Sequence, residues 1–142
     1  MKQIFKTILC PVDLDAPSIA AVEIAARLAD QNEATVCLVH AITPPLQGAV
    51  EPSPEWETTV KSRLEKITRE HIGETVHCDV RIVRGEASSA IIRAAKELQA
   101  DLIVMATHRY TGLDRVLLGS VAEVIVRESR VPVLTVGPER SP

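Results

Sequence analysis

The residues best suited to chemistry lie beside two apolar segments of the chain. Asp13 follows the apolar run 4–12, and Gly119-Ser120 precedes an apolar stretch with helical spacing. A carboxylate at a strand end can accept hydrogen bonds from a ribose hydroxyl or a base amino group. A helix start can hold phosphate on its unpaired N–H groups, with a glycine allowing close approach. Each feature also has a purely structural interpretation, Asp13 as a turn residue and Ser120 as a helix cap.

Other reactive side chains lack the spacing of a metal or catalytic site. His71, His77 and Cys78 do not share one face at ligand spacing, which argues against zinc. Ser120 has no evident His and Asp partners, which argues against a hydrolase triad. His40 sits between apolar residues, and we expect it in the core with its hydrogen bonds satisfied. We therefore predict no catalytic residue and no metal.

The composition predicts one cytoplasmic domain spanning residues 1–142. Sixteen Lys and Arg against nineteen Asp and Glu give a formal charge of −3, with no basic stripe for nucleic acid or a membrane surface. No stretch approaches the roughly 18 apolar residues of a membrane span. The three cysteines are odd in number and far apart, which favours a reducing compartment. Aromatic residues make up only 2% of the chain, so the core must be aliphatic.

Apolar periodicity predicts five strands that alternate with four helices. We expect strands at 4–12, 34–42, 76–82, 102–106 and 131–136, and a proline-rich loop at 43–54. The first helix starts near residues 15–18, and the fourth starts at Gly119-Ser120. Trp56, Val60, Leu64 and Ile67 mark one face of the second helix. Such alternation indicates an α/β fold, a parallel sheet with helices on both faces.

Two side-chain patterns suggest the strand order 3-2-1-4-5. The third strand alternates apolar and polar residues, and the fifth contains Pro132, so both suit the edges of a sheet. In this order the connections change direction between strands one and four, and ligands bind outside the carboxyl ends of the strands at such a point. The segments 11–15 and 107–120 should therefore form the site.

Together these residues resemble the universal stress protein family. The most specific match is MATHRYTGLDRVLLGSVAEVIV, residues 105–126, followed by VPVLTV. ILCPVDLD near the N-terminus, LVHAI at 38–42 and RGEASSAI at 84–91 support it, so the similarity covers essentially the whole chain.

The resemblance implies a Rossmann-like fold of the adenine nucleotide alpha hydrolase-like type and, in some members, an adenine nucleotide site. The cofactor would be ATP, AMP or ADP, with or without Mg²⁺. Carried over position by position, the contacts near the adenosine are Pro11, Val12, Asp13 and Ala41. The loop and phosphate contacts are Met105, Ala106, His108, Arg109, Gly119, Ser120, Val121 and Ala122.

The glycine loop departs from the pattern of the nucleotide-binding members, G-x-x-G, nine residues, then G-[ST]. Only Gly119 and Ser120 match, because Ala106 and Arg109 occupy the two upstream glycine positions. Arg109 could block the phosphate region, or its guanidinium could pair with phosphate. The alternative function is thus a dimeric stress or adaptor protein that binds no nucleotide. Slow ATP hydrolysis is a third possibility.

The family resemblance also implies a homodimer through the last strand. Val131, Val133, Leu134 and Val136 make this strand apolar and leave it without charges that would protect an edge. An unprotected edge strand aggregates unless it is paired or covered, and pairing with its two-fold copy would bury it.

Replacing Arg109 by glycine distinguishes the two roles of this side chain. If Arg109 blocks the site, Arg109→Gly should raise the affinity for Mg-ATP in titration calorimetry. If Arg109 pairs with phosphate, affinity should fall about tenfold or more, as expected for a lost charged hydrogen bond. An unchanged affinity would show that Arg109 points elsewhere.

Overall fold

In the described part of the chain, nine secondary-structure elements alternate in the order that the sequence predicts. The structure is a computed structural model, and it describes residues 3–14, 19–43, 53–107 and 119–137. The strands are β1 (Thr7–Pro11), β2 (Thr35–Ile42), β3 (Cys78–Arg84), β4 (Leu102–Ala106) and β5 (Val133–Val136). The helices are α1 (Ile19–Asn32), α2 (Pro54–His71), α3 (Ala87–Glu97) and α4 (Ser120–Glu128).

Several element boundaries differ from those expected. β1 begins at Thr7 rather than residue 4, and β5 begins at Val133, after Pro132. The predicted loop 43–54 is described only at its ends, and Pro54 already belongs to α2. Proline suits the first turn of a helix because its missing N–H would have no partner there. The predicted helix start at 15–18 lies outside the described residues.

The five strands form one parallel sheet in the predicted order, β3-β2-β1-β4-β5. β3 and β5 therefore lie at the edges. Asp79 and Arg81 of β3 are exposed while Cys78 and Val80 are half-buried, so the polar side of the strand does face water. Pro132 precedes β5, and its carbonyl accepts a hydrogen bond from the Ile103 N–H of β4 at 3.0 Å.

Alternating side chains divide the core between the two faces of the sheet. Ile8 and Cys10 of β1 pack with α1 and α2, whereas Leu9 packs with α3 and α4. The largest fully buried side chains are aliphatic except for Cys10, as the shortage of aromatic residues requires. Truncating one of these residues, such as Leu38, to alanine should cost about 2–5 kcal/mol.

For three helices, α2, α3 and α4, the structure describes both the N-cap and the first turn. A different residue caps each of them. Ser53 Oγ accepts a hydrogen bond from the Trp56 N–H at 3.2 Å at the start of α2. Gly119 is the N-cap of α4, and no side chain caps this helix. Ser120 is the first helical residue and not the cap. None of the helices in the described residues is both long and apolar enough to cross a bilayer.

The Glu86 carboxylate caps α3 through four hydrogen-bond donors. Ser88 Oγ lies 2.7 Å and 2.9 Å from the two carboxylate oxygens, and Ser89 Oγ lies 2.9 Å from one of them. The N–H groups of both serines donate to the carboxylate at 3.1 Å. These donors, led by the Ser88 hydroxyl, lower the pKa of Glu86 from 4.5 to about 2. The preceding Gly85 has a φ of 134°, a conformation that favours glycine.

The Glu86 cap predicts a pH-dependent loss of stability in acid. Because the pKa is lower in the folded state, the stabilisation is complete above pH 4.5 and is lost as the pH falls towards about 2. We expect Glu86→Gln to lower the urea midpoint at pH 7, and the difference from wild type to shrink below pH 4.5. In a Ser88→Ala, Ser89→Ala background the same change should have a smaller effect. Parallel midpoint curves for wild type and Glu86→Gln down to pH 2 would contradict this role.

Candidate functional site

A cavity of about 600 Å³ lies at the carboxyl ends of β1, β2 and β4. The starts of α2, α3 and α4 contribute Trp56, Ala87 and Ser120 to its lining. This is the point where the chain connections change direction, with α1 and α2 on one face of the sheet and α3 and α4 on the other. The cavity therefore occurs where the strand order predicts a ligand site.

Ten of the twelve candidate residues line this one cavity. They come from segments far apart in the chain and are Pro11, Val12, Asp13, Ala41, Met105, Ala106, Gly119, Ser120, Val121 and Ala122. The other two, His108 and Arg109, lie outside the described residues.

Hydrogen bonds from β2 hold the chain that leads to Asp13. The Val12 N–H donates to the Val39 carbonyl at 2.8 Å, which extends the β1–β2 ladder by one residue. His40 Nδ1 lies 2.8 Å from the Val12 carbonyl. A carbonyl can only accept, so Nδ1 carries the proton in this hydrogen bond. Val12 is buried and Asp13 is exposed, so the carboxylate emerges at the end of a fixed strand.

The start of α4 offers backbone donors to the cavity. Its first intrahelical hydrogen bond runs from the Glu123 N–H to the Gly119 carbonyl at 2.9 Å. The N–H groups of Ser120, Val121 and Ala122 precede that bond and have no acceptor within the helix. Together with the helix dipole, they favour an anionic group at this position.

Gly119 is not required by its backbone conformation. Its φ of −66° and ψ of 166° are available to any residue. A Cβ atom placed on it would meet no described atom within 4 Å. The absence of a side chain therefore leaves space beside the backbone donors.

The cavity has further lining residues that the sequence analysis did not assign to it. They are Val39, His40, Ile42, Thr43, Trp56, Ala87 and Ile91, while Thr107 lies in the predicted segment 107–120. The rule that selected residues after β1 and β4 applies equally to the end of β2, and would have found Thr43. His40 has a hydrogen-bond partner as predicted, but it is only half-buried and lines the cavity rather than the core. Its position at the end of β2 explains the difference.

A second cavity, of about 740 Å³, lies at the other end of the sheet. Thr7 and Thr35 line it at the amino ends of β1 and β2, together with Asp79 and Arg81 on β3. Ligands of parallel α/β sheets bind at the carboxyl ends. We therefore assign the functional site to the smaller cavity.

Thiol and metal chemistry have little support in the described part of the chain. Burial raises the pKa of Cys10 to about 12 and that of Cys37 to about 11, so both thiols stay protonated at neutral pH. Burial also raises the pKa of Cys78. Within residues 3–14, 19–43, 53–107 and 119–137, no three His, Cys, Asp or Glu side chains cluster as metal ligands.

Comparison with known proteins identifies the family. The profile of the Universal stress protein family matches residues 4–137. The chain belongs to this family. Universal stress protein A homolog 1 of Coxiella burnetii is 32% identical over 140 residues, covering 93% of this chain and 96% of that protein.

Solved structures of family members share the Rossmann-like fold. A universal stress protein in complex with cAMP superposes with a TM-score of 0.70 at 21% identity, covering 94% of this chain and 97% of that chain. The universal stress protein of Archaeoglobus fulgidus in complex with dAMP superposes with a TM-score of 0.66 at 23% identity, covering 93% and 98%. At these identities the similarity establishes the fold.

Proposed function

We propose that this universal stress protein is a regulatory stress-response protein that binds an adenine nucleotide in the cavity at the carboxyl ends of β1, β2 and β4. The observation that carries the proposal is the convergence of ten candidate residues on one cavity of about 600 Å³. The cAMP and dAMP complexes of two proteins with this fold support the choice of ligand class. ATP is the proposed ligand, with AMP and ADP as related candidates and Mg²⁺ as a possible companion of the phosphates.

The two ends of the cavity suit the two ends of a nucleotide. The N–H groups at the start of α4 and the Ser120 hydroxyl would donate to phosphate, while Asp13 would accept from the ribose. Ala41 would lie near the base, and Met105 and Ala106 would line the space between. His108 and Arg109 remain proposed contacts from the loop that follows β4. These roles involve binding only, and we assign no catalytic residue.

The alternative is a dimeric stress or adaptor protein that does not bind nucleotide. Arg109 in the glycine loop favours it, since its side chain could occupy the phosphate region. We also propose a cytoplasmic location, consistent with three free cysteines of which two are buried.

Gly119 provides a direct test of phosphate binding. Aspartate is a favourable helix N-cap, and the position has an ordinary backbone conformation, so Gly119→Asp should fold at least as stably as wild type. Its carboxylate would occupy the N–H groups and repel phosphate. We expect wild type to bind ATP, ADP or AMP in calorimetry, with and without Mg²⁺, and Gly119→Asp to bind at least about tenfold more weakly, a cost of about 1.4 kcal/mol.

Gly119→Asn is the matched control, because asparagine caps equally well without the charge. Gly119→Asn should lower the nucleotide affinity less than Gly119→Asp does. Its effect should also depend less on salt concentration, because it adds no charge. Purified wild type that releases no adenine nucleotide on denaturation and gives no heat with any of the three nucleotides would refute nucleotide binding and support the adaptor alternative.

We further propose that two copies pair through β5. Leu134 is 40% exposed on this edge strand, and Val126 of the neighbouring α4 is 45% exposed. Exposed apolar residues on an unpaired edge are unfavourable in a monomer and suit a two-fold contact.

Charge on β5 should disrupt this dimer. We expect wild type to elute as a dimer on a sizing column with light scattering, and Leu134→Glu or Val133→Glu to elute as monomer or aggregate. Ile4→Glu is the control, because Ile4 is 77% exposed but precedes β1 and lies outside β5. A dimer that survives both β5 substitutions would place the interface elsewhere.

A further inference from the structure

Trp56 is the only tryptophan of the chain, and it lies on the core face of α2 without being in the core. Residues four apart on a helix share a face, so Trp56, Val60 and Leu64 lie in one row. Val60 and Leu64 are fully buried, whereas Trp56 is 45% exposed. The sequence predicts these residues on one face of the helix, and the structure shows that burial along this face stops before Trp56.

The exposed Trp56 side chain lies at the cavity rather than in the core. Trp56 lines the cavity at the carboxyl ends of the strands, together with Ile42 and Thr43 at the end of β2. The core face of the helix therefore continues beyond the core and over the candidate site.

Two interactions fix the helix start that carries Trp56. The Trp56 N–H donates to Ser53 Oγ at 3.2 Å, as part of the N-cap. Glu57, the next residue, forms an ion pair with Arg84 at the end of β3. The cap and the ion pair hold this turn beside the β2–β3 end of the cavity, so Trp56 belongs to the cavity wall.

The strand order places Trp56 at the end of the cavity away from the phosphate donors. β1 lies between β2 and β4, and α4 packs against β5, the strand beyond β4. Neighbouring strands are about 4.8 Å apart, so the ends of β2 and β4 are separated by about 10 Å. A nucleotide with its phosphate at α4 would therefore extend its base towards Trp56. Among the described lining residues, Trp56 is the largest aromatic side chain, while the His40 ring is held by its hydrogen bond to the Val12 carbonyl.

We propose that Trp56 packs against the base of the bound nucleotide and supplies an aromatic contact to its planar ring. This inference rests on the proposed nucleotide binding and adds a base contact from α2. Stacking of a base on an aromatic side chain contributes about 1–3 kcal/mol, as measured by alanine substitution.

The single tryptophan makes the contact directly observable. Titration with AMP should quench the tryptophan fluorescence of wild type, because the ring stacks on the only fluorescent indole. Calorimetry with AMP should show Trp56→Ala binding about 5- to 150-fold more weakly, the range that corresponds to the stacking energy. Trp56→Phe should retain most of the affinity, whereas Trp56→Leu, which keeps apolar bulk, should lose it.

Ile4→Ala is the control, since Ile4 is an apolar residue with 77% exposure and is not among the residues that line the cavity. Its AMP affinity should equal that of wild type. Wild type that binds AMP while Trp56→Ala or Trp56→Leu binds it equally well would overturn the Trp56 contact and leave nucleotide binding intact. Wild type that binds no nucleotide would overturn both proposals.

Discussion

The structure depends on β1, a strand of five residues that is hydrogen-bonded on both sides and buried on both faces. Its neighbours β2 and β4 run parallel to it. Ile8, Leu9 and Cys10 are at most 1% exposed and alternate between the two halves of the core. A strand enclosed in this way can present functional groups only where it ends, and it ends at Pro11, just before Asp13.

The reversal of strand order at β1 creates the cavity. After β1 and β2 the chain crosses one face of the sheet, and after β3 and β4 it crosses the other. The connections that leave β1 and β4 therefore separate and leave a crevice between them. The start of α4 faces that crevice with backbone N–H groups that have no intrahelical acceptor, an arrangement that favours an anionic group.

The three residues with the largest pKa shifts, Cys10, Cys37 and Glu86, are not among those that line the cavity. The thiols of Cys10 and Cys37 have raised pKa values because they are buried in the core, away from the cavity lining. Glu86 is ionised well into acid, but four donors at the start of α3 hold its carboxylate. The polar groups that line the cavity in the described part of the chain are backbone donors and the side chains of Asp13, His40, Thr43, Thr107 and Ser120.

The sequence by itself determined the α/β fold, the strand order and most of the candidate site. Periodicity, Pro132 and the polarity of β3 sufficed for the sheet, because an edge strand leaves a local pattern in its own residues. Pro11 to Asp13, Gly119 and Ser120 were recognisable because they follow or begin regular elements. Ala41, Met105, Ala106, Val121 and Ala122 were expected from the family resemblance.

Only the tertiary structure decided the roles of His40 and Trp56. His40 has apolar neighbours on its strand, and Trp56 shares the helical spacing of the buried Val60 and Leu64, so both patterns are typical of core residues. Their exposure depends on where β2 and the sheet beneath α2 end in space. Where a strand ends relative to a neighbouring helix depends on how the two elements pack against each other. The local sequence of a single element therefore does not predict it.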